Sequence, residues 1–211
     1  MPCLKSKGKP EMKLKIKPQI FLFILIMIQW FSCKTNTEMN SLQEPADPDT
    51  YDMLVWEKIE PGLHSGFGST DLAYSKSLPP EGNISGSRKL QGWKGERVSC
   101  KLLVWSNEST GTIRIKTKGL SNKDYKIADE NISISIVKYV LTDQFLNEKG
   151  GACGPRDNNK IPVHLAPDLL SNDNIFSIED KGTRPVWIAV NIPVEAPAGR
   201  YSGKIHITSK S

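Results

Sequence analysis

The sequence predicts an all-β fold, an antiparallel β-sandwich with long loops, preceded by an export signal and a flexible tether. Three observations carry this. Short segments alternate apolar and polar residues with the two-residue period of a half-buried strand. Gly, Pro and Asn separate them at turn spacing. No stretch shows the period of a convincing amphipathic helix. The 211 residues suffice for one domain with a sizeable core, or for two very small ones.

In chain order, residues 1–32 read as a leader. Lys5, Lys7, Lys9, Lys13, Lys15 and Lys17 precede an apolar run from Ile20 to Ile28. A basic head followed by a short apolar stretch is the pattern of an export signal, and nine residues are too few for a comfortable membrane span. Met12 starts a better basic head than the residues before it. Trp30-Phe31-Ser32-Cys33 resembles the relaxed lipobox of Bacteroidetes-type lipoproteins, with Trp30 in place of the usual Leu. This makes Cys33 the expected lipidation site and the chain a membrane-anchored lipoprotein, periplasmic or at the cell surface.

Residues 33–50 are expected to be a flexible tether, polar and containing Glu44-Pro45-Ala46-Asp47-Pro48-Asp49. Residues 51–211 form the sandwich domain. Tyr51–Lys58 is the first possible element. Pro61–Gly86, rich in Gly, Ser and Pro, reads as loop with at most a short strand at Leu72-Ala73-Tyr74. Gln91–Arg97 is a turn leading into a strand in which Val98, Cys100, Leu102 and Val104 make one apolar face. Ile113 and Ile115, then Ile132, Ile134 and Ile136, repeat the pattern. A long loop, Asp143–Asn159, follows. Val163–Leu170 is a short strand or turn, and Asn174–Ile178 leads toward the last two strands. These are Arg184–Asn191 and Lys204–Thr208, expected to pair through a turn marked by Pro193, Pro197, Gly199 and Gly203.

Charge excludes one class of partner. Of 28 basic and 23 acidic residues, six lysines and one glutamate fall in residues 1–18, which accounts for the net charge of +5. The remaining 22 of each sign cancel, so no basic stripe is left for nucleic acid. No Cys-x-x-Cys or His/Cys metal spacing occurs, and the residues suggest no cofactor. With Cys3 in the leader and Cys33 assigned to lipid, Cys100 and Cys153 remain for a disulfide. Cys100, in an apolar strand, equally suits a buried free thiol.

Several stretches, taken together, resemble a known family. Trp93-Lys94-Gly95-Glu96-Arg97-Val98-Ser99-Cys100-Lys101-Leu102-Leu103-Val104-Trp105-Ser106 is similar to the strand that opens the N-terminal domain of glycoside hydrolase family 123 and related bacterial proteins. Cys153-Gly154-Pro155-Arg156, Asp168-Leu169-Leu170, Arg184-Pro185-Val186-Trp187 and Pro193–Gly203 resemble later landmarks in the same order. The resemblance runs from Met53 to Thr208. It implies a β-sandwich without catalytic residues that precedes a (β/α)-barrel. That barrel cleaves β-linked N-acetylgalactosamine, using the substrate's acetamido group as nucleophile and an Asp-Glu pair to assist it. The pair belongs to the barrel, so no catalytic residue carries over to this sequence.

The residues alone leave few sites to weigh. Glu57, Glu60, Asp157, Asp168, Asp173, Glu179 and Asp180 fall at element ends or in loops, where acids serve turns. Trp93, Trp105 and Trp187 suit either a sugar-stacking platform or core and domain-interface packing. His64, His164 and His206 lie far apart, and no Gly-x-Ser-x-Gly nucleophile turn occurs. The expected role is therefore a non-catalytic module that packs against a barrel in cis or in trans. The alternative is a free-standing carbohydrate-binding lipoprotein, with a glycan as partner.

Overall fold

The alternation from Val98 to Trp105 becomes the body of β2 (Arg97–Ser106), around which the other strands assemble. The computed structural model describes residues 43–49, 51, 53–142 and 163–210. The leader, Cys33, the tether as far as residue 42, Cys153-Gly154-Pro155-Arg156 and Asp157 lie outside the described residues. The described residues belong to one packed unit, Gln43–Ser211.

The strands are β1 (Leu63–Gly68), β2, β3 (Thr112–Thr117), β4 (Leu120–Ser121), β5 (Lys126–Ile127), β6 (Ile132–Thr142), β7 (His164–Ser171), β8 (Ile175–Phe176), β9 (Gly182–Asn191) and β10 (Ile205–Lys210). They form an antiparallel sheet of order β1-β2-β9-β6-β7, a second of order β10-β3-β8, and a small β4-β5 pair. Two short 3-10 turns, Met53–Lys58 and Asp129–Asn131, complete the described elements. The first is the element expected at Tyr51–Lys58, and it buries Trp56.

The core lies between the two larger sheets. Cys100, Leu102 and Val104 of β2 and Val186 and Ile188 of β9 pack with Ile113 and Ile115 of β3 and with Ile178. Each fully buried branched side chain stabilises the fold by about 1.5–3 kcal/mol. The expected apolar face of β2 is therefore the inward one. Its other face is covered as well: Leu103 is 0% exposed and Lys101 is buried. The cover comes from the loop after β1, where Tyr74 is buried and the Lys101 ammonium donates to Thr70 O (3.0 Å) and Leu72 O (2.6 Å).

Three expectations change. Leu63–Gly68, read as loop because of its glycines and serine, is strand β1, in register with Leu63 opposite Ser106 and Gly68 opposite Lys101. Leu72–Tyr74 is loop, not strand. The last two strands also do not pair with each other. β9 lies between β2 and β6, whereas β10 pairs with β3 in the other sheet. Alternation fixes which residues of a strand face inward but is silent on its partner. The Pro193–Gly203 connection thus crosses between sheets, beginning with a turn in which Ala196 N–H donates to Pro193 O (3.1 Å).

Candidate functional site

The most heavily partnered polar cluster forms where β6 and β9 part. Their ladder ends at Ile136 opposite Val186. The next residue of β9 toward its start is Pro185, which has no N–H to extend a ladder. On the other strand, the β6–β7 register shifts between Lys138 and Tyr139. Main-chain groups at such an opening need other partners. Side chains supply them. Arg184 Nη1 donates to Val137 O (3.2 Å), and Tyr139 N–H donates to Glu44 Oε1 (2.8 Å). Glu44 closes the gap by taking both arms of the Arg184 guanidinium, Nη1 on Oε1 and Nη2 on Oε2, the latter at 2.7 Å. Lys76 Nζ stands 3.4 Å from Oε2.

The cluster continues inward. The guanidinium lies 5.3 Å from the Tyr139 ring centre. Tyr139 is 0% exposed, and its hydroxyl donates to Tyr74 O (2.9 Å), with Thr183 O at 3.3 Å. Burial raises the Tyr139 phenol far above its ordinary range, so it stays protonated. Burial also opposes ionisation of Glu44. The Arg184 hydrogen bonds and charge, the Tyr139 N–H and Lys76 outweigh it and hold the carboxyl below its ordinary value. A general acid needs the opposite shift, toward the working pH. This carboxylate is a clamp: it is ionised, saturated with donors and fixed in place.

The carboxylates nominated by sequence are dispersed. Glu57, Glu60, Asp168, Asp173, Glu179 and Asp180 are all exposed. Asp173 is paired with Lys138 (3.2 Å), and its hydrogen bond from Ser171 and then Lys138 hold its carboxyl below the ordinary value. A shallow groove of about 320 Å³ between β3 and β6 has Ile115, Ile132 and Ile134 along it and one carboxylate, Asp129. Among the described residues, no three His, Cys, Asp or Glu side chains are placed to hold a metal.

The tryptophans separate. Trp105 is half-buried and stacks on His64, with ring centres 5.7 Å apart at 17°. Trp187 is half-buried in β9, opposite Lys101 of β2 and Ser135 of β6. Trp93 stands alone, 83% exposed, in the turn before β2. Cys100 is buried, and burial raises its thiol above the ordinary value against the opposing charge of Arg88. Cys153, the other cysteine of the candidate disulfide, is outside the described residues.

Glu44, Tyr139 and Arg184 are not legible as a group from sequence. One signal does exist. Arg184 shares its strand parity with the core residues Val186 and Ile188, and a charge at an inward position needs a partner.

Two antiparallel sheets around one apolar core, with a saturated carboxylate where β6 and β9 of the larger sheet part, define a β-sandwich module. Its family follows from comparison: the chain belongs to the glycoside hydrolase 123 N-terminal domain family, whose model matches residues 67–209. Among solved structures it is similar to a family 123 glycoside hydrolase from Clostridium perfringens that acts in glycolipid glycan hydrolysis. The TM-score is 0.55 at 24% identity, over 70% of this chain and 24% of that one. No curated protein matches. Glu44 and Lys101's neighbour loop differ in this respect: the family match takes in the loop but begins after Glu44.

Proposed function

We propose that this chain is a non-catalytic module, the N-terminal β-sandwich of a β-N-acetylgalactosaminidase-type lipoprotein. Its task is to pack against and position a catalytic (β/α)-barrel. The observation that carries this reading is the family match over residues 67–209. The aligned region makes up about a quarter of the related enzyme, which leaves most of that chain for other parts. Two features of the surface agree. The nominated acids are spread over separate elements. Leu141, Val163, Leu169 and Leu170 are exposed at the β6–β7 side, as a surface covered by a partner domain is.

A titration of the full chain against a family 123 barrel produced as a separate polypeptide tests the packing role. Calorimetry is expected to show saturable one-to-one association. Absence of association contradicts the role.

The export and anchoring reading belongs to the same proposal. Acylation at Cys33 places the protein on a membrane, periplasmic or at the cell surface. Gln43 is the first described residue of the packed unit. The stretch from Cys33 to Gln43 reaches at most about 35 Å when fully extended, so the sandwich is held close to the bilayer. Cys33→Ala is expected to abolish incorporation of labelled palmitate and to move the protein from the membrane to the soluble fraction. Unchanged labelling and partition contradict the anchor.

A further inference from the structure

Trp93 is held out to solvent by a turn with little freedom. Trp93 N–H donates to Glu96 Oε2 (2.6 Å), and Glu96 N–H donates to Trp93 O (3.1 Å). Gly95 N–H donates to Ile192 O and Ile192 N–H donates to Glu96 O, both at 2.8 Å, which extends the β2–β9 ladder into the turn. Gly95 has φ +78°, a conformation costly for other residues. The backbone is therefore fixed by interactions that do not use the indole.

The same end of the sandwich carries a second apolar side chain. Trp93, 83% exposed, and Val194, 70% exposed, are the two most exposed large apolar residues described. Val194 lies against the same turn: a Cβ on Gly95 would stand 3.4 Å from Val194 Cγ2. Trp105 and Trp187 are accounted for by packing in their strands, whereas among the described residues Trp93 is left 83% exposed.

The size of this patch selects its ligand. Two side chains offer on the order of 300 Å², well short of the roughly 800 Å² each partner gives to a stable protein interface. A single sugar ring presents an apolar C–H face that one indole covers. The charges outside residues 1–18 balance, so the domain has no net attraction for an anionic lipid surface.

We infer that Trp93, with Val194 against the same turn, is a contact site for one pyranose ring of a glycan. This rests on the proposal above that the module serves a glycan-cleaving enzyme. It adds a contact site on the sandwich itself.

The test is an NMR titration of the full chain, reading the Trp93 indole N–H and the Val194 methyls. The probes are methyl β-N-acetylgalactosaminide and an N-acetylhexosamine tetrasaccharide. Saturable, millimolar shifts confined to Trp93 and Val194 are expected. Trp93→Ala should weaken binding at least about tenfold and leave the melting temperature within about 3 °C. Trp93→Tyr should retain part of the binding. No shift with either sugar overturns the inference, as does unchanged binding in Trp93→Ala. So does Trp93-dependent sedimentation with phosphatidylcholine vesicles in the absence of sugar shifts, which assigns the indole to a lipid surface. The barrel titration is repeated with Trp93→Ala. Intact barrel association with no sugar shift removes only this site. Loss of barrel association in the variant assigns Trp93 to the domain interface and also overturns the sugar contact.

Discussion

Glu44 and Arg184 are 140 residues apart, yet their bidentate pair closes the opening between β6 and β9. Removing the carboxylate leaves a guanidinium and the Tyr139 N–H without their partner, both largely shielded from water. Breaking such a pair is costly because the remaining charge is uncompensated. Glu44→Ala is expected to lower stability by about 2–4 kcal/mol, measured by urea unfolding, and to release Gln43–Asp49 to fast hydrogen exchange. The pair also sets a pH dependence. The Glu44 carboxyl is held below its ordinary value near 4.5 in the folded state. Its stabilisation is therefore complete above that value and is lost as pH falls through the folded pKa. Glu44→Gln should flatten the acid limb of the stability curve below pH 4.5 and leave its shape above that unchanged. An acid limb identical to that of the native chain contradicts this assignment. The sequence reading placed Glu44 in a tether because its neighbours are Pro and Asp, which signal an unpacked stretch. The partner that docks it is distant, and no local pattern reports it.

At the scale of elements, alternation located β2, β3, β6, β9 and β10, because each has one face against the inter-sheet core. It failed for β1, whose glycines look like loop residues. Gly68 is in fact a packing requirement. A Cβ there would fall 2.5 Å from Tyr74 Oη and 2.8 Å from Leu103 Cδ1. The Tyr74 hydroxyl also accepts from Ser69 N–H (2.9 Å). Gly68→Ala is expected to cost about 1–3 kcal/mol by thermal or urea unfolding, as overpacking does. The cost should shrink when Tyr74→Phe removes the obstructing hydroxyl. An equal cost in both backgrounds contradicts the close approach as its cause. The second face of β2 was hidden for a related reason. Leu103 and Lys101 are covered by an aperiodic loop, and burial by a loop leaves no period in sequence. The partner exchange between β9 and β10 was hidden because strand parity is the same whichever sheet receives the strand.

At the scale of the molecule, a five-stranded sheet faces a three-stranded one. The narrower sheet leaves Ile132 and Ile134 only partly buried at the margin of the core. The fold class and the family were both legible, since they rest on strand periodicity and on motifs in order. The candidate sites were less so. Of three nominated tryptophans, the strands absorb Trp105 and Trp187, and the turn exposes Trp93. Exposure depends on tertiary neighbours, which a residue type does not encode.

On the proposed reading, the sandwich holds no glycosidase chemistry of its own and works through a barrel. Release of 4-nitrophenol from 4-nitrophenyl β-N-acetylgalactosaminide checks this. The full chain is assayed alone, and again with a family 123 barrel added. No release above buffer is expected for the chain alone, and release is expected once the barrel is present. Turnover by the chain alone, rising in proportion to its concentration through purification, contradicts it.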